Sequence, residues 1–302
     1  MPIFKNQNGE LTTFKRDEFK TEKELQTLIE TNLEEVFGCR FIASEFSTGS
    51  VHSGRIDSLA LSEDGNPVII EYKKVEDSKL INQALFYLDW IKDHKGDFEV
   101  AVQKALGNVK VNWEYIRVIC LAPSYDRYSL HAVRHMGVGL ELWQYHKYEN
   151  GILEMEEIFR NNENVRTKEV IKPSKANTET PKEIQSISFE DHLTKASTDV
   201  QPLIQEISDF ICSLNDSVAE VPLKLYIAYK LAKNIACMEV HRKEALLFLP
   251  LKHNDSMPSI ARDVSNIGHW GTGDLEVRVG NSEDFEIAKT LIRQSYLENG
   301  GD

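Results

Sequence analysis

The first part of the chain begins with a helical pattern. The stretch TEKELQTLIETNLEEVFG (21–38) has apolar residues at helical spacing, Thr21 and Glu24 as a capping box at its start, and Gly38 at its end. It therefore predicts one helix across this stretch. The next residues, CRFIASEFSTG, predict a strand and then a loop rich in Ser and Gly.

The stretch GRIDSLALSEDGNPVIIEYKK (54–74) predicts a β-hairpin. Two apolar runs flank EDGN, and an Asp–Gly pair between apolar runs is a strong turn signal. Downstream, the pattern predicts a helix in SKLINQALFYLDWIKDH, and FEVAVQKALG continues the helical pattern. A strand in IRVICLAPS, a helix in DRYSLHAVRHMG and two strands in LELWQYHKYENGILEMEEI follow. This order predicts an α/β fold in which a mixed sheet is flanked by helices.

The composition changes after residue 160. Residues 161–187 are polar, carry Pro173 and Pro181, and predict a linker between a first domain, 1–160, and a smaller α+β domain, 188–302. In the second domain we expect helices in VQPLIQEISDFICSLN, LKLYIAYKLAKNIACMEV and SEDFEIAKTLIRQSYLEN, and strands in EALLFLPLK and LEVRVGN. The accessory domain is compatible with a sensing, DNA-positioning or dimerising role.

Composition narrows the class of protein. The chain has 41% hydrophobic and 27% charged residues, four scattered cysteines, and no apolar run long enough to span a membrane. With a polar N-terminus as well, we expect a cytoplasmic protein with no membrane partner. The net charge of -13 argues against a general nucleic-acid binder, because neutralising phosphates takes Lys and Arg. It does not exclude a nuclease that holds a cation in an acidic cluster.

Charged residues at the end of the predicted hairpin are candidates for chemistry. Glu71 and Lys73 project from one face of the second strand, and Asp57 lies on the first strand, which the hairpin brings alongside. Two carboxylates and an ammonium in apolar surroundings are costly unless they bind a cation or form a satisfied ion pair. Hard divalent cations prefer such oxygen ligands. The simpler interpretation is a solvated strand face with incidental ion pairs.

The order Asp57, then Glu71 fourteen residues later, then Lys73 resembles the D…ExK core of the PD-(D/E)xK nuclease superfamily, in its RecB-like and archaeal mismatch-endonuclease-like branch. The resemblance covers about residues 20–145 and implies a restriction-endonuclease-like fold. It implies that Mg2+ or Mn2+ is held by Asp57, Glu71 and Glu24, and that Lys73 positions the attacking water. The capping box also explains Glu24 without catalysis, and Glu30 or Glu34 could serve in its place.

The same resemblance extends to the helix after the hairpin. Gln83 and Tyr87 fit the Q-x-x-x-Y element of RecB-like members, which implies that Gln83 belongs to the catalytic site and orients the site or the DNA backbone. Both are also plausible packing residues. DNA is the implied partner, with Arg55, Lys74, Lys79 and Tyr87 as candidate contacts, and the protein is expected to work as a homodimer if it cuts two strands. The expected activity is DNA cleavage in restriction, phage defence or repair. The alternative is an inactive nuclease-like scaffold that binds nucleic acid or protein.

Overall fold

The structure is a computed structural model that describes residues 3–49, 54–136, 139–160 and 187–301. The chain divides into two compact units, Met1–Thr167 and Lys168–Asp302. Of the predicted linker, residues 161–186 lie outside the described residues.

The first unit is a mixed sheet with helices packed against it. Its strands are β1 (Phe4–Gln7), β2 (Glu10–Thr13), β3 (Arg16–Asp17), β4 (Cys39–Ser47), β5 (Arg55–Ser62), β6 (Pro67–Tyr72), β7 (Arg117–Ala122), β8 (Leu140–Tyr148) and β9 (Leu153–Arg160). Its helices are α1 (Glu22–Thr31), α2 (Leu33–Phe37), α3 (Leu80–Asp93), α4 (Lys95–Leu106) and α5 (Arg127–Val133), with a 3-10 turn at Glu149–Gly151.

The strand order of the main sheet is β3-β8-β7-β6-β5-β4, with β9 paired to β8, while β1 and β2 pair only with each other among the described strands. β4, β5 and β6 are antiparallel, and β6, β7 and β8 are parallel. The prediction of a mixed sheet with flanking helices is confirmed. All of β6 and β7 is buried. Helix α3 contacts both strands, α1 contacts β6, and each of the two strands lies between two others in the sheet.

The predicted hairpin is formed by β5 and β6. The two strands pair from Ser58 with Ile70 to Leu61 with Pro67. In the turn, the Ser62 N–H donates to the Asn66 carbonyl oxygen at 2.8 Å, and Gly65 adopts a φ of +78°, which favours glycine. The apolar runs thus anchor a buried pair of strands whose far ends carry the charged residues.

The second unit is an antiparallel sheet with helices packed on it. Its helices are α6 (Phe189–Leu193), α7 (Gln201–Cys212) and α8 (Ser282–Glu298). Its strands are β10 (Ala219–Pro222), β11 (Ile227–Lys230), β12 (Asn234–Val240), β13 (Ala245–Leu249), β14 (Ala261–Asp263) and β15 (Leu275–Val279), in the order β10-β11-β12-β13-β15-β14. α8 packs against β12, β13 and β15, and α7 packs against α8.

One predicted helix in this unit is wrong. The stretch 223–240, LKLYIAYKLAKNIACMEV, forms β11 and β12, which pair antiparallel. Both strands lie inside the sheet and nearly all of their residues are buried, so the alternation of polar and apolar residues that marks a strand is missing. The polar N-terminal stretch also forms strands that the pattern did not predict, β1 to β3.

Two expectations from composition can be compared with the fold. All four cysteines are free thiols: Cys39, Cys120 and Cys237 are buried and Cys212 is half-buried. Within the described ranges, no helix combines the length and the hydropathy that crossing a membrane requires.

Candidate active site

The candidate site lies where β5 and β6 stop pairing. Their ladder ends at Ser58 and Ile70, and beyond it side chains replace the backbone partners. The Asp57 N–H donates to Glu71 Oε1 at 3.0 Å, and the Tyr72 N–H donates to Asp57 Oδ2 at 3.1 Å. Each carboxylate is therefore fixed by the main chain of the opposite strand, and the two acids lie side by side.

Glu71 is a buried carboxylate, and one of its two oxygens accepts no hydrogen bond from the described residues. Its side chain is 0% exposed, and Oε2 has no hydrogen-bond partner among the described residues. Burial raises the pKa of Glu71 well above its usual value, and the nearby charge of Asp57 raises it further, against the opposing effects of the Asp57 N–H and Lys73. The positive charge of nearby Lys73 does not outweigh the effects of burial and of Asp57.

Asp57 is half-buried and shares this environment. Burial raises its pKa, while the hydrogen bond from the Tyr72 N–H and the charge of Lys73 lower it, and Glu22 and Glu45 raise it. The net direction is upward. Two adjacent carboxylates that both have raised pKa values are typical of functional sites, where like charges are held close together.

Lys73 follows β6 directly and lies beside the acid pair. Its Nζ is 3.1 Å from Glu22 Oε1, and its side chain is 15% exposed. Burial alone would lower the pKa of Lys73, but the hydrogen bond and charge of Glu22, together with Asp57 and Glu71, raise it overall. The side chain is therefore an ammonium group at neutral pH.

The helix carboxylate that faces the site is Glu22, in the place expected for Glu24. Glu24 caps α1: its N–H donates to Thr21 Oγ1 at 3.0 Å, and its Oε2 accepts from the Lys20 N–H at 2.9 Å. Its other oxygen lies 3.6 Å from Lys147 Nζ. No hydrogen bond or ion pair of the described residues joins Glu24 to the two acids, whereas Glu22 contacts Lys73.

Gln83 and Tyr87 lie together on α3, as the Q-x-x-x-Y spacing requires. Gln83 Nε2 is 3.4 Å from Tyr87 Oη, which accepts a 3.0 Å hydrogen bond from the Arg55 N–H. A Cβ atom on Gly54 would lie 2.6 Å from Tyr87 Cε1, so the backbone there fits against the ring because it has no side chain. Tyr87 therefore supports the start of β5, two residues before Asp57.

The candidate DNA-contacting cations are exposed. Arg55 pairs with Glu45 at 2.7 Å, and Lys74 Nζ donates to the Lys20 carbonyl oxygen at 3.1 Å. Lys79 precedes the first turn of α3 as its cap residue. Arg55 and Lys74 thus flank the end of the hairpin, and Lys79 lies at the start of the next helix.

Three polar residues near the site, Glu22, Gln26 and Glu45, were not among the candidates chosen from the sequence. Glu22, Gln26 and Glu30 are four residues apart on α1 and all contact the hairpin, and this i, i+4 spacing was a signal that could have been used. Glu45 of β4 lies next to Asp57 across the sheet, between two paired positions, and has a φ of +52°. Nothing in the sequence pattern indicates that local backbone conformation.

The metal-ligand candidates that the fold brings together are two carboxylates, Asp57 and Glu71. Across the described part of the chain, no group of three or more His, Cys, Asp or Glu side chains is arranged to hold a metal ion. Any further ligands would be waters, substrate oxygens or a rearranged side chain.

The second unit matches a known family model. The model is described as a domain of unknown function, DUF5655, and it matches residues 189–299, from the start of α6 to just beyond α8.

Parts of solved endonuclease structures are weakly similar to this chain. A complex of EndoMS with double-stranded DNA is 20% identical, over 44% of this chain and 51% of its own, with a TM-score of 0.24. A repair endonuclease from Pyrococcus abyssi is 21% identical, over 42% and 48%, with a TM-score of 0.23. These matches span about half of each endonuclease chain, and TM-scores this low do not establish a common fold.

A relative with similarity along its whole length is found in Haemophilus influenzae (strain ATCC 51907 / DSM 11121 / KW20 / Rd). It is 31% identical over 305 residues, a match that covers 99% of this chain and 100% of the relative. The relative is described as an uncharacterized protein. Since the similarity extends through both units, the chain belongs to the same family as this Haemophilus influenzae protein.

Proposed function

We propose that this protein is a metal-dependent nuclease that hydrolyses phosphodiester bonds in DNA, with Asp57, Glu71 and Lys73 in its active site. The observation that carries the proposal is the acid pair: two adjacent carboxylates with raised pKa values, one of them buried with an unpartnered oxygen in the described structure. Such a pair costs stability. Its position at a strand end, beside a lysine, favours a catalytic role.

The two acids fit a hard divalent cation such as Mg2+ or Mn2+. These cations take oxygen ligands, commonly one or two carboxylates together with waters and phosphate oxygens. Glu71 Oε2 has no competing donor among the described residues, and Asp57 can offer the oxygen that does not accept from Tyr72. A cation bound between the two acids would lower the pKa values of both and offset the free-energy cost of burying their negative charge.

The chemistry then divides between the cation and the side chains. When bound, the cation would act as a Lewis acid toward the phosphodiester and its attacking water. Lys73 would orient that water and offset the negative charge that develops on the phosphate in the transition state. Because Lys73 is held 3.1 Å from Glu22, its ammonium group is already in place, and the phosphate would compete with Glu22 for it.

Residues around the acid pair have supporting roles in this proposal. Glu22 replaces Glu24 as the helix carboxylate nearest the site, since Glu24 is engaged by Lys20 and Lys147. Gln83 acts through Tyr87, which holds the main chain at Arg55.

DNA would be bound by a local basic surface, because the chain as a whole is acidic. Arg55, Lys74 and Lys79 are exposed near the end of the hairpin or at the start of α3, where phosphates could replace their present partners. Helix, three strands, helix and strand is also the core order of the restriction-endonuclease-like fold that the D…ExK resemblance implies. Restriction, phage defence or DNA repair would use such an activity.

The test is a cleavage assay on the full chain. Linear, nicked, flapped and mismatched DNA are each incubated with Mg2+, Mn2+ or EDTA. We expect cleavage that needs metal and that is slowed at least about 100-fold by Asp57→Asn, Glu71→Gln or Lys73→Met. The matched control is Asp89→Asn on α3, whose side chain is 80% exposed and which should cut normally. No cleavage of any substrate, or variants that cut as well as the wild type, would overturn the proposal.

A second candidate is a nuclease-like scaffold that binds nucleic acid or protein without cutting. The pairing of Lys73 with Glu22 favours it, because the lysine already has a counter-ion, and so does the net charge of -13. A gel-shift assay in EDTA, followed by addition of metal, separates the candidates. If the protein is a scaffold, the wild type and Glu71→Gln bind DNA equally well, and adding metal yields no cleavage products.

A further inference from the structure

We infer that Gln26 is a positioning residue for Asp57, an inference that rests on the proposed nuclease function. Gln26 lies in the middle of α1 and is 3% exposed. Its Nε2 atom is 2.6 Å from the Asp57 carbonyl oxygen, 2.8 Å from Glu30 Oε1 and 3.1 Å from Ser44 Oγ. One buried amide thus ties the helix to the main chain of the residue that carries the candidate acid.

The orientation of the Gln26 amide follows from its partners. A carboxylate oxygen and a backbone carbonyl oxygen can only accept hydrogen bonds, so the NH2 group must face them. The Ser44 hydroxyl receives a hydrogen bond from Lys23 Nζ at 2.8 Å, and its oxygen can therefore act as an acceptor toward Gln26 as well. Exchanging the amide oxygen and nitrogen would set two oxygens against each other at 2.6 Å.

The contact matters because Asp57 is not paired with β6. The last paired residue of β5 is its neighbour Ser58. The Asp57 N–H is held by the Glu71 carboxylate and its carbonyl oxygen by Gln26. If Glu71 turns toward a cation, its hydrogen bond to the Asp57 N–H weakens. The amide of Gln26 then still fixes the main chain from which the Asp57 carboxylate projects.

A second arm of the same network has a structural role. Glu30 Oε1 accepts from Gln26 and also from Ser58 Oγ, at 2.6 Å, which links α1 to β5 independently of the Asp57 carbonyl. Substituting Gln26 alone disturbs both arms. The two roles have to be separated by a pair of substitutions.

The separating experiment compares Gln26→Glu with the double variant Gln26→Glu/Glu30→Gln. In the single variant a carboxylate replaces the donor and faces both Glu30 and the Asp57 carbonyl oxygen, so stability and cleavage should both fall. In the double variant the new amide nitrogen at position 30 can take the place of Glu30 Oε1, which accepts both hydrogen bonds in the wild type, and donate to the new carboxylate at position 26 and to the Ser58 hydroxyl oxygen. The link between helix and strand is restored, but the Asp57 carbonyl oxygen stays without its donor.

We expect the double variant to recover part of the thermal stability, since the helix–strand link is restored although a carboxylate still faces the Asp57 carbonyl oxygen. Its cleavage rate should stay about 10- to 100-fold below wild type, the range seen when partners behind metal ligands are removed. The Mn2+ concentration for half-maximal cleavage should rise as well. Gln103→Glu, the same chemical change at an exposed position of α4, should alter neither quantity. Should the double variant be too unstable to assay, Gln26→Met, which removes the donor without adding charge, should show the same shift in Mn2+ requirement.

The outcomes discriminate between the inference and the function on which it rests. A stable double variant that cleaves like wild type with the same Mn2+ requirement would show that Gln26 is only structural, with the nuclease function intact. A wild-type protein that cuts no DNA with either metal would overturn the nuclease function itself, and the inference with it.

Discussion

Two buried glutamates of the first sheet have opposite surroundings. Glu141 on β8 receives Arg117 Nε at 2.7 Å and a second guanidinium nitrogen at 2.9 Å, and also the Trp143 indole N–H at 3.1 Å. Although burial alone would raise it, the pKa of Glu141 is lowered to about 2 by Arg117 and Arg160. Glu71 on β6 is buried as deeply and has a raised pKa, because it receives a backbone N–H but no cation as closely.

The difference distinguishes a structural carboxylate from a candidate catalytic one. Only β7 separates the strands that carry the two residues, so the protein can place an arginine against a buried acid in this sheet. At Glu71 it does not. Without an arginine this close, Glu71 keeps a raised pKa and is more easily protonated than Glu141. Under the proposed function, a bound metal would supply the positive charge.

The largest expected effect tests the structural side of the comparison. Arg117→Met should lower the free energy of unfolding of the first unit by about 3 kcal/mol, the low end of the range for breaking a buried ion pair, because Glu141 stays buried and, among the described residues, keeps only the more distant Arg160, 3.9 Å away, as a cation. Urea unfolding measures this. The control is Arg262→Met in the second unit: Arg262 pairs with Glu276 but is half exposed, and its loss should cost about 1 kcal/mol or less. Equal losses in the two variants would contradict the contrast.

The next effect concerns the functional side. Glu71→Gln should slow metal-dependent cleavage by about 10²–10³-fold, the cost of removing one preorganised electrostatic contact. Its stability without metal should stay the same or rise, because a neutral amide is easier to bury than a carboxylate. Glu141→Gln should do the reverse and lose stability first. Cleavage rates and melting temperatures of both variants test this contrast. A strongly destabilised Glu71→Gln variant would show that Glu71 has a structural role instead.

A smaller effect is expected from metal binding. At a free Mn2+ concentration ten times the dissociation constant, the wild type should gain about 1.4 kcal/mol of stability, provided that the unfolded chain does not bind the ion. Thermal unfolding across a Mn2+ titration measures the gain. Asp57→Asn and Glu71→Gln should lose it, whereas Asp89→Asn should keep it. A gain that survives in Glu71→Gln would place the metal elsewhere.

The finest test uses pH, without metal. Because the pKa of Glu71 is raised in the folded state, its carboxyl group stays protonated to a higher pH there than in the unfolded state. The stability that it contributes is therefore lost as pH rises above the usual glutamate value of about 4.5. The pKa of Glu141, lowered to about 2, makes its contribution present above about 4.5 and lost as pH falls toward 2. Relative to wild type, Glu71→Gln should therefore gain stability with rising pH, and Glu141→Gln should lose it. Differences of the same sign would refute this account.

Much of the candidate site could be predicted from local patterns. The Asp–Gly turn and the two apolar runs locate the hairpin, and the hairpin places Asp57 beside Glu71. The acidic residue of α1 that lies beside the site could not be chosen in the same way. Glu22 and Glu24 point about 200° apart around the helix, so the choice depends on which face of α1 meets the hairpin. The capping hydrogen bonds of Glu24 are the physical reason that Glu22 is the one beside Lys73.

The second unit shows where pattern reasoning stops. Residues 223–240 contain Ile, Tyr, Leu, Ala and Lys at spacings that suit a helix, yet they form two strands of one sheet. Tyr229 and Ala228 point to opposite faces and both are fully buried, so neither face shows the polar signal of an exposed strand. Only the tertiary contacts decide between the two structures.

The end of the ladder at Ser58 and Ile70 has a consequence for recognising distant relatives. What places the two acids together is their position one step beyond the last paired residues, and not the fourteen-residue interval between them. Lengthening or shortening the loop at 63–66 would change the interval and leave the partners unchanged, whereas a one-residue slip in pairing would turn one acid to the other face of the sheet. Searches keyed to strand register should therefore detect relatives that a fixed-interval motif misses.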